Sequence, residues 1–529
     1  MHTLVRNPSL ATPDLILYNA RIYPRADQRS LAQAVAIWNG LVTDVGTDQK
    51  ILKLRSRSVK TIDLRGKTVL PGFTDSHIHL LNYGMMLSNV KLYDARSIED
   101  IKEAVAKAAR KNPNGWIVGR GWDQEKLREH RYLEKTDLDD TAPNPVLLRR
   151  VCGHIAVANS AALKIANINR RTQNPEAGEI VRDPLNGEPT GLLKENALGL
   201  VEQMIRYDDK VVEAALVTAS QRLLRVGLTS LHCIINNAQE LRVLRRLWDA
   251  GRIKQSIYAI IPLDSFDEAV KAGFATETNN GCFRIGGVKI FMDGSLGART
   301  AALSEPYSDQ PDSMGMLTFS EEKLNELVVR AEDAGFQLCM HAIGDRALGT
   351  ILKVLETTSR ASARRKLRHR VEHCSIIPLA LMKRMRNLGL IASVQPRFIY
   401  SDSWAIDRLG KRRSQYLYPF RSMLKNGVPL AAGSDGPVED PNPMEGVWSA
   451  VTRPGLTNEE SLTVDQTLSA YTIGGAYASH SESSQGTIEP GKRADFVVLD
   501  RDPHSPNGKE LRDVRVVQTF INGELVYGS

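Results

Sequence analysis

The sequence predicts an α/β fold: a (β/α)8 TIM barrel, with a small composite β-sandwich domain built from both termini and an insertion after the first barrel strand. Three observations predict it. Eight short apolar runs, at 69–77, 229–234, 256–261, 285–291, 337–340, 369–374, 391–394 and 429–432, recur through the middle of the chain, and helical patterns separate most of them. Both ends alternate apolar and polar residues and carry Asn-Gly hairpin turns, Asn39-Gly40 and Asn522-Gly523. Between the first and second runs lies a long stretch that breaks the repeat.

In chain order, residues 14–68 read as short strands with turns, and 487–527 match them, so the two segments form one small β domain. The barrel spans 69–486. Its helices are bounded by recognisable signals: 211–226 stops before Gly227, 238–250 before Gly251, 321–334 starts after Ser320 and stops before Gly335, and 377–388 stops before Gly389. Residues from about 80 to 210 hold a helix at 98–110 capped by Ser97, and strands near 116–120 and 146–150. A barrel places its active site at the C-terminal ends of the strands. An insertion after strand one sits on that rim and is placed to shape a substrate pocket.

Composition narrows the partners. Of 529 residues, 42% are hydrophobic and 25% charged, as in ordinary globular proteins. The net charge of +8 is scattered, and no aromatic-basic module accompanies it, so no nucleic-acid partner is expected. The five cysteines are odd in number, widely spaced and without a CxxC pair, which suits free thiols in a reducing compartment. There is no signal-peptide pattern and no run of about eighteen apolar residues. No membrane partner is expected, and the cytoplasm is the expected location.

The strand ends carry the chemistry. The first holds Asp75-Ser76-His77-Ile78-His79. In extended chain alternate side chains share a face, so His77 and His79 can hold one cation. The fourth carries Lys289 inside an apolar run, the fifth and sixth end in His341 and His373, and the eighth ends in Asp435. Each alone has a plainer explanation: a snorkelling lysine, hydrogen-bonded core histidines, a turn aspartate before Gly436. Together they are a set of metal-ligand types at one end of one barrel.

This set resembles the metal-dependent amidohydrolase superfamily. Three longer stretches resemble its YtcJ-like branch, which includes N-substituted formamide deformylases. They are Gly153-His-Ile-Ala-Val-Ala-Asn-Ser-Ala-Ala-Leu, Val288-Lys-Ile-Phe-Met-Asp-Gly-Ser-Leu-Gly-Ala-Arg-Thr-Ala and Gly433-Ser-Asp-Gly-Pro-Val. The segment from Gly486 to Leu499 is similar to the return strand of the superfamily's β domain. The resemblance implies two zinc ions per chain: His77, His79 and Asp435 on the more buried one, and His341 and His373 on the other. Lys289, carboxylated by carbon dioxide, would bridge them. A carbamate supplies two anionic oxygens where an ammonium supplies none, and the lysine must first be uncharged, as burial favours. Manganese, iron or cobalt could replace zinc.

The implied reaction is hydrolysis of a C–N bond in an amide, formamide or carbamate-like small molecule. A metal lowers the pKa of its water toward about 7. Asp435 would take the water's proton and pass it to the leaving nitrogen. Esterase, lactonase or deaminase activity would use the same site, and an inactive binding protein is the alternative of another class. His154 and Trp122 in the insertion, and Asp293 and Arg299 after the Lys289 strand, are candidate substrate-binding residues, with local structural roles as the alternative. His369 lies near 13 Å along the strand from His373, too far to share its site, and His232 is assigned to packing. A homodimer is compatible with the resemblance.

Overall fold

A computed structural model describes residues 12–529 except 27, 29, 153, 177, 277–280, 359–365 and 506–507. Gly153, which opens one of the motifs above, therefore lies outside the described residues. Eight strands form one parallel sheet in sequential order: β1 (Phe73–Ile78), β2 (Leu228–Ile234), β3 (Ser256–Pro262), β4 (Phe283–Phe291), β5 (Gln337–Ala342), β6 (Arg370–His373), β7 (Ile391–Val394) and β8 (Leu430–Ala432). Backbone hydrogen bonds just beyond β8 tie it back to β1: Asp435 N–H donates to His77 O at 2.7 Å, and His79 N–H to Gly436 O at 2.9 Å. The expected eight-stranded α/β barrel is the observed one.

The strands are buried on both faces, as parallel strands flanked by helices must be. Their register sets the site. Phe291 pairs with His341 and Ala342 with His373, so the ends of β4, β5 and β6 lie level.

The first run divides. The sequence reads 69–77 as one strand, but Thr68–Pro71 belongs to a five-stranded sheet, and only Phe73–Ile78 enters the barrel. Gly72 is the break. Its N–H donates to Asp495 O at 2.9 Å, and a Cβ there would lie 2.2 Å from Thr229 Oγ1. Thr68–Pro71 pairs antiparallel with Phe496–Leu499, which joins the two ends of the chain in one sheet. Leu17, Val35, Ile37, Phe496, Val498 and Phe520 pack between this sheet and a four-stranded one that contains Leu15–Tyr18 and Ala34–Trp38.

Residues 84–215 form a separate compact unit. It is built on a six-stranded sheet, with the helix Ile98–Lys111 closed by a Ser97–Asp100 capping box. Trp122 is fully buried in one of its two cores, and its indole N–H donates to Leu148 O at 2.9 Å. That is the placement of a packing residue. Trp122→Ala should cost this unit about 3–5 kcal/mol, read as a lower unfolding midpoint in denaturant. A loss of turnover at unchanged stability would instead assign Trp122 to substrate.

Candidate active site

The alternation of β1 delivers Asp75, His77 and His79 to one face. His77 Nε2 and His79 Nε2 lie 3.5 and 3.3 Å from Asp435 Oδ1. These three residues form a group whose ligand atoms all fall within 4.8 Å of one another. His77 also faces Lys289 Nζ at 3.2 Å, and its ring centre lies 4.9 Å from that of His373. The His341 ring is 4.5 Å from His373. The structure thus brings together all six residues that the sequence proposes as ligands.

Their hydrogen bonds decide which nitrogen each imidazole offers. His77 Nδ1–H donates to Glu372 Oε2 at 2.6 Å, which leaves its Nε2 lone pair facing Asp435. His373 Nδ1–H donates to Gln395 Oε1 at 2.8 Å, which leaves Nε2 free. His341 Nε2–H donates to Gly294 O at 3.0 Å, and its buried Nδ1 has no hydrogen-bond partner. A ring nitrogen held by an acceptor on one side and left open on the other is the usual arrangement of a metal-ligating histidine.

Burial disfavours the charged form of His77, His341, His373 and Lys289. Burial, reinforced by the Lys289 charge, pushes His77 well below the usual imidazole range and His341 down to about 3. Burial and the neighbouring His341 and His77 lower His373 likewise. Burial also lowers Lys289, against the pull of Glu372 and Asp435. Among the described residues no carboxylate lies within 4.0 Å of its amine. Neutral imidazoles, an amine biased toward its free base, a carboxylate and an orphaned buried nitrogen are a donor set that fits divalent metal.

Two ligand candidates carry backbone strain. Asp435 has φ 57° and His373 φ 73°, in the left-handed region that costs a non-glycine residue about 1–2 kcal/mol. Such outliers cluster at functional sites. At His373 the turn has a visible effect. Regular alternation would send Glu372 and His373 to opposite faces, yet both reach His77.

Sequence reasoning misses the supports. Asp75 is buried, accepts the N–H groups of His77 and Ser434 (both 3.0 Å) through Oδ1, and accepts the Ser434 hydroxyl at 2.6 Å through Oδ2. It therefore pins the loop carrying Asp435 to β1. Glu372 is fully buried, and burial opposes its charge, but Arg370 holds its carboxyl below the usual range. Arg370 grips both its oxygens, at 2.9 and 3.0 Å, and reaches Ser76 O and His232 Nδ1. A charged pair at alternate positions of a buried strand was the available signal. Glu372→Gln should weaken metal affinity by about 10–100-fold, the usual effect of losing a partner behind a ligating imidazole. Titration with a metal indicator reads this directly, and an unchanged affinity would remove Glu372 from the site.

The remaining candidates are placed as follows. Asp293 is buried, and burial raises its carboxyl to about 6. It accepts N–H groups of Ala302, Ile343 and Gly344 and lies 3.4 Å from His341 Nε2. It organises the loops around His341. Arg299 pairs with Asp309 at 2.9 Å within its own loop. His154 is exposed in the insertion unit and pairs with Glu195 at 3.0 Å. His369 accepts from Leu338 N–H, and His232 lies against Arg370.

Comparison with known proteins shows the family. Residues 60–527 match the model of the amidohydrolase family. YtcJ of Bacillus subtilis (strain 168) is 33% identical over 97% of this chain and 99% of its own length. The N-substituted formamide deformylase of Arthrobacter pascens is 31% identical over 97% of this chain and 98% of its own. The crystal structure of an uncharacterized metal-dependent hydrolase from Pyrococcus furiosus is 32% identical and superposes with a TM-score of 0.82, covering 93% of this chain and all (100%) of that one. The family model spans most of the sequence and the relatives align over nearly all of theirs, so the chain belongs to the amidohydrolase family.

Proposed function

We propose that this chain hydrolyses a C–N bond in an amide, formamide or carbamate-like small molecule, using divalent metal held at the β1–β8 mouth of the barrel. The observation that carries the proposal is the convergence of His79 and of His77, whose burial holds it well below the usual imidazole range, on one carboxylate, Asp435. His77, His79 and Asp435 would hold one ion. His341 and His373 would hold a second, and zinc suits both sets. Bound metal supplies Lewis acidity, which polarises a carbonyl and makes water acidic enough to react near neutral pH.

The chain's own residues do the rest. Asp435 accepts the proton of the attacking water and returns it to the nitrogen as the C–N bond breaks, so that acid and amine leave. Lys289, as free amine, adds to carbon dioxide and loses a proton, giving an anionic carbamate between the two histidine pairs. Glu372 and Gln395 fix the rings of His77 and His373. A one-metal version has support too, since only His77, His79 and Asp435 form a ligand group within 4.8 Å among the described residues. No described helix is long and apolar enough to cross a membrane. Five unpaired cysteines favour a cytoplasmic setting.

The test is turnover of a panel of amides, formamides, carbamates, esters and lactones by metal-loaded protein. Cleavage of C–N substrates that chelation abolishes and metal restores supports the proposal. Cleavage of esters or lactones alone, or no turnover at any loading, contradicts it.

A further inference from the structure

Two separate cavities border the ligand cluster. One, of about 460 Å³, is lined by His79 and Lys289 together with Ile234, Leu263, Phe291 and Phe319. The other, of about 270 Å³, is lined by His341, His373 and Asp435 together with Leu296, Phe398 and Trp404. The two linings share no residue, and the six candidate ligands are divided between them apart from the fully buried His77. They approach each other at the cluster itself, where His79 Nε2 is 3.3 Å from Asp435 Oδ1.

From this we infer that the substrate is an amide substituted on both sides of its carbonyl, with an acyl group much larger than formyl. The inference rests on the hydrolytic reading above and narrows it. A reacting carbonyl at the cluster has two substituents to place, and the barrel provides a cavity with apolar walls for each, the larger one also edged by Asn236, Asp264 and Thr318. A formamide has only hydrogen on its acyl side and would leave one cavity empty. Asp435, which returns the proton to the departing nitrogen, lines the smaller cavity, so that cavity takes the amine and the larger one the acyl chain. Water adds to the carbonyl carbon, the C–N bond breaks, and the amine leaves with the proton from Asp435 while the acid remains on the larger side. Each methylene that moves from water into the larger cavity is worth roughly fourfold in binding.

The test is a series of 4-nitroanilides with formyl, acetyl, butanoyl and phenylacetyl groups, assayed by release of 4-nitroaniline from metal-loaded protein. In the unaltered chain kcat/KM should rise on the order of tenfold or more from formyl to butanoyl. Leu263→Trp narrows the larger cavity from a half-buried turn position. It should flatten that rise, slowing the phenylacetyl member far more than the formyl one. Thr318→Trp, from an exposed position on the same wall, does the same if the first variant fails to fold. Gly297→Leu narrows the smaller cavity. A Cβ at Gly297 would sit 3.5 Å from the Trp404 ring, in ordinary contact, and all four substrates should slow in parallel.

A flat or falling series in the unaltered chain would overturn the inference, as would a Leu263→Trp variant that slows formyl and phenylacetyl anilides equally. If no anilide is cleaved, it is the hydrolytic reading that fails for these substrates. Affinity read from the anilide-induced rise in Tm then decides the two-cavity inference. Affinity that climbs with acyl length and loses the climb in Leu263→Trp supports it, and flat affinity overturns it.

Discussion

Asp435→Asn is expected to lower kcat by about 10²–10⁴-fold while the chain stays folded. Asparagine keeps the size of the side chain and one oxygen ligand, but it cannot take a proton from water and return it to nitrogen. It also isolates the chemistry from the backbone. Asp435 sits at φ 57°, a region that asparagine tolerates and alanine does not. The loop itself is held by groups this change leaves alone: Asp75 on the Ser434 N–H and hydroxyl, and the Asp435 N–H on His77 O. Single-turnover kinetics and a melting curve together read the outcome. Near-normal turnover would remove Asp435 from proton transfer, and a collapsed melting curve would make its role one of folding.

Lys289→Ala is expected to lose metal and turnover together. Lys289 is 3% exposed, has no carboxylate partner within 4.0 Å among the described residues, and lies 3.2 Å from His77 Nε2. A buried ammonium in that position would repel a cation. A buried carbamate would bind one, and the depressed amine pKa favours the free base that carbamate formation needs. Removing a mere support of a ligand costs about 10–100-fold in metal affinity, so removing a bridging ligand should cost at least that. The cavity left by the side chain also makes a specific rescue available: formate, acetate or propionate can occupy it and supply the missing carboxylate oxygens. Partial recovery of metal and rate with these acids is the expected result. A full complement of metal in the variant would eliminate the bridging role.

Much of the fold was readable because its signals are local. The glycines expected to end helices, Gly227, Gly251, Gly335 and Gly389, all adopt positive φ, where an L side chain would be strained. The barrel strands stand out as short apolar runs between those stops, and Lys289 stands out as a charge inside one of them. His77 and His79 were readable because strand alternation needs only two residues of context. The features that were not readable depend on partners far away in the chain. Glu372 matters because it meets His77, 295 positions earlier. Asp75 matters because it meets Ser434, 359 positions later. The break at Gly72 depends on Thr229 and on Asp495, residues of two other strand regions. Trp122 in its Gly-Trp-Asp setting looks the same in sequence whether it faces a ligand or a core, and only the packing of Leu148 and Tyr132 around it separates the two.

The most direct test of a metal-dependent site is the metal content per chain, measured by elemental mass spectrometry on protein purified without chelators. Two equivalents of a divalent transition metal, falling in both the Lys289→Ala and Glu372→Gln variants, is the predicted result. No bound metal, together with no gain of activity on adding zinc or manganese, would contradict it.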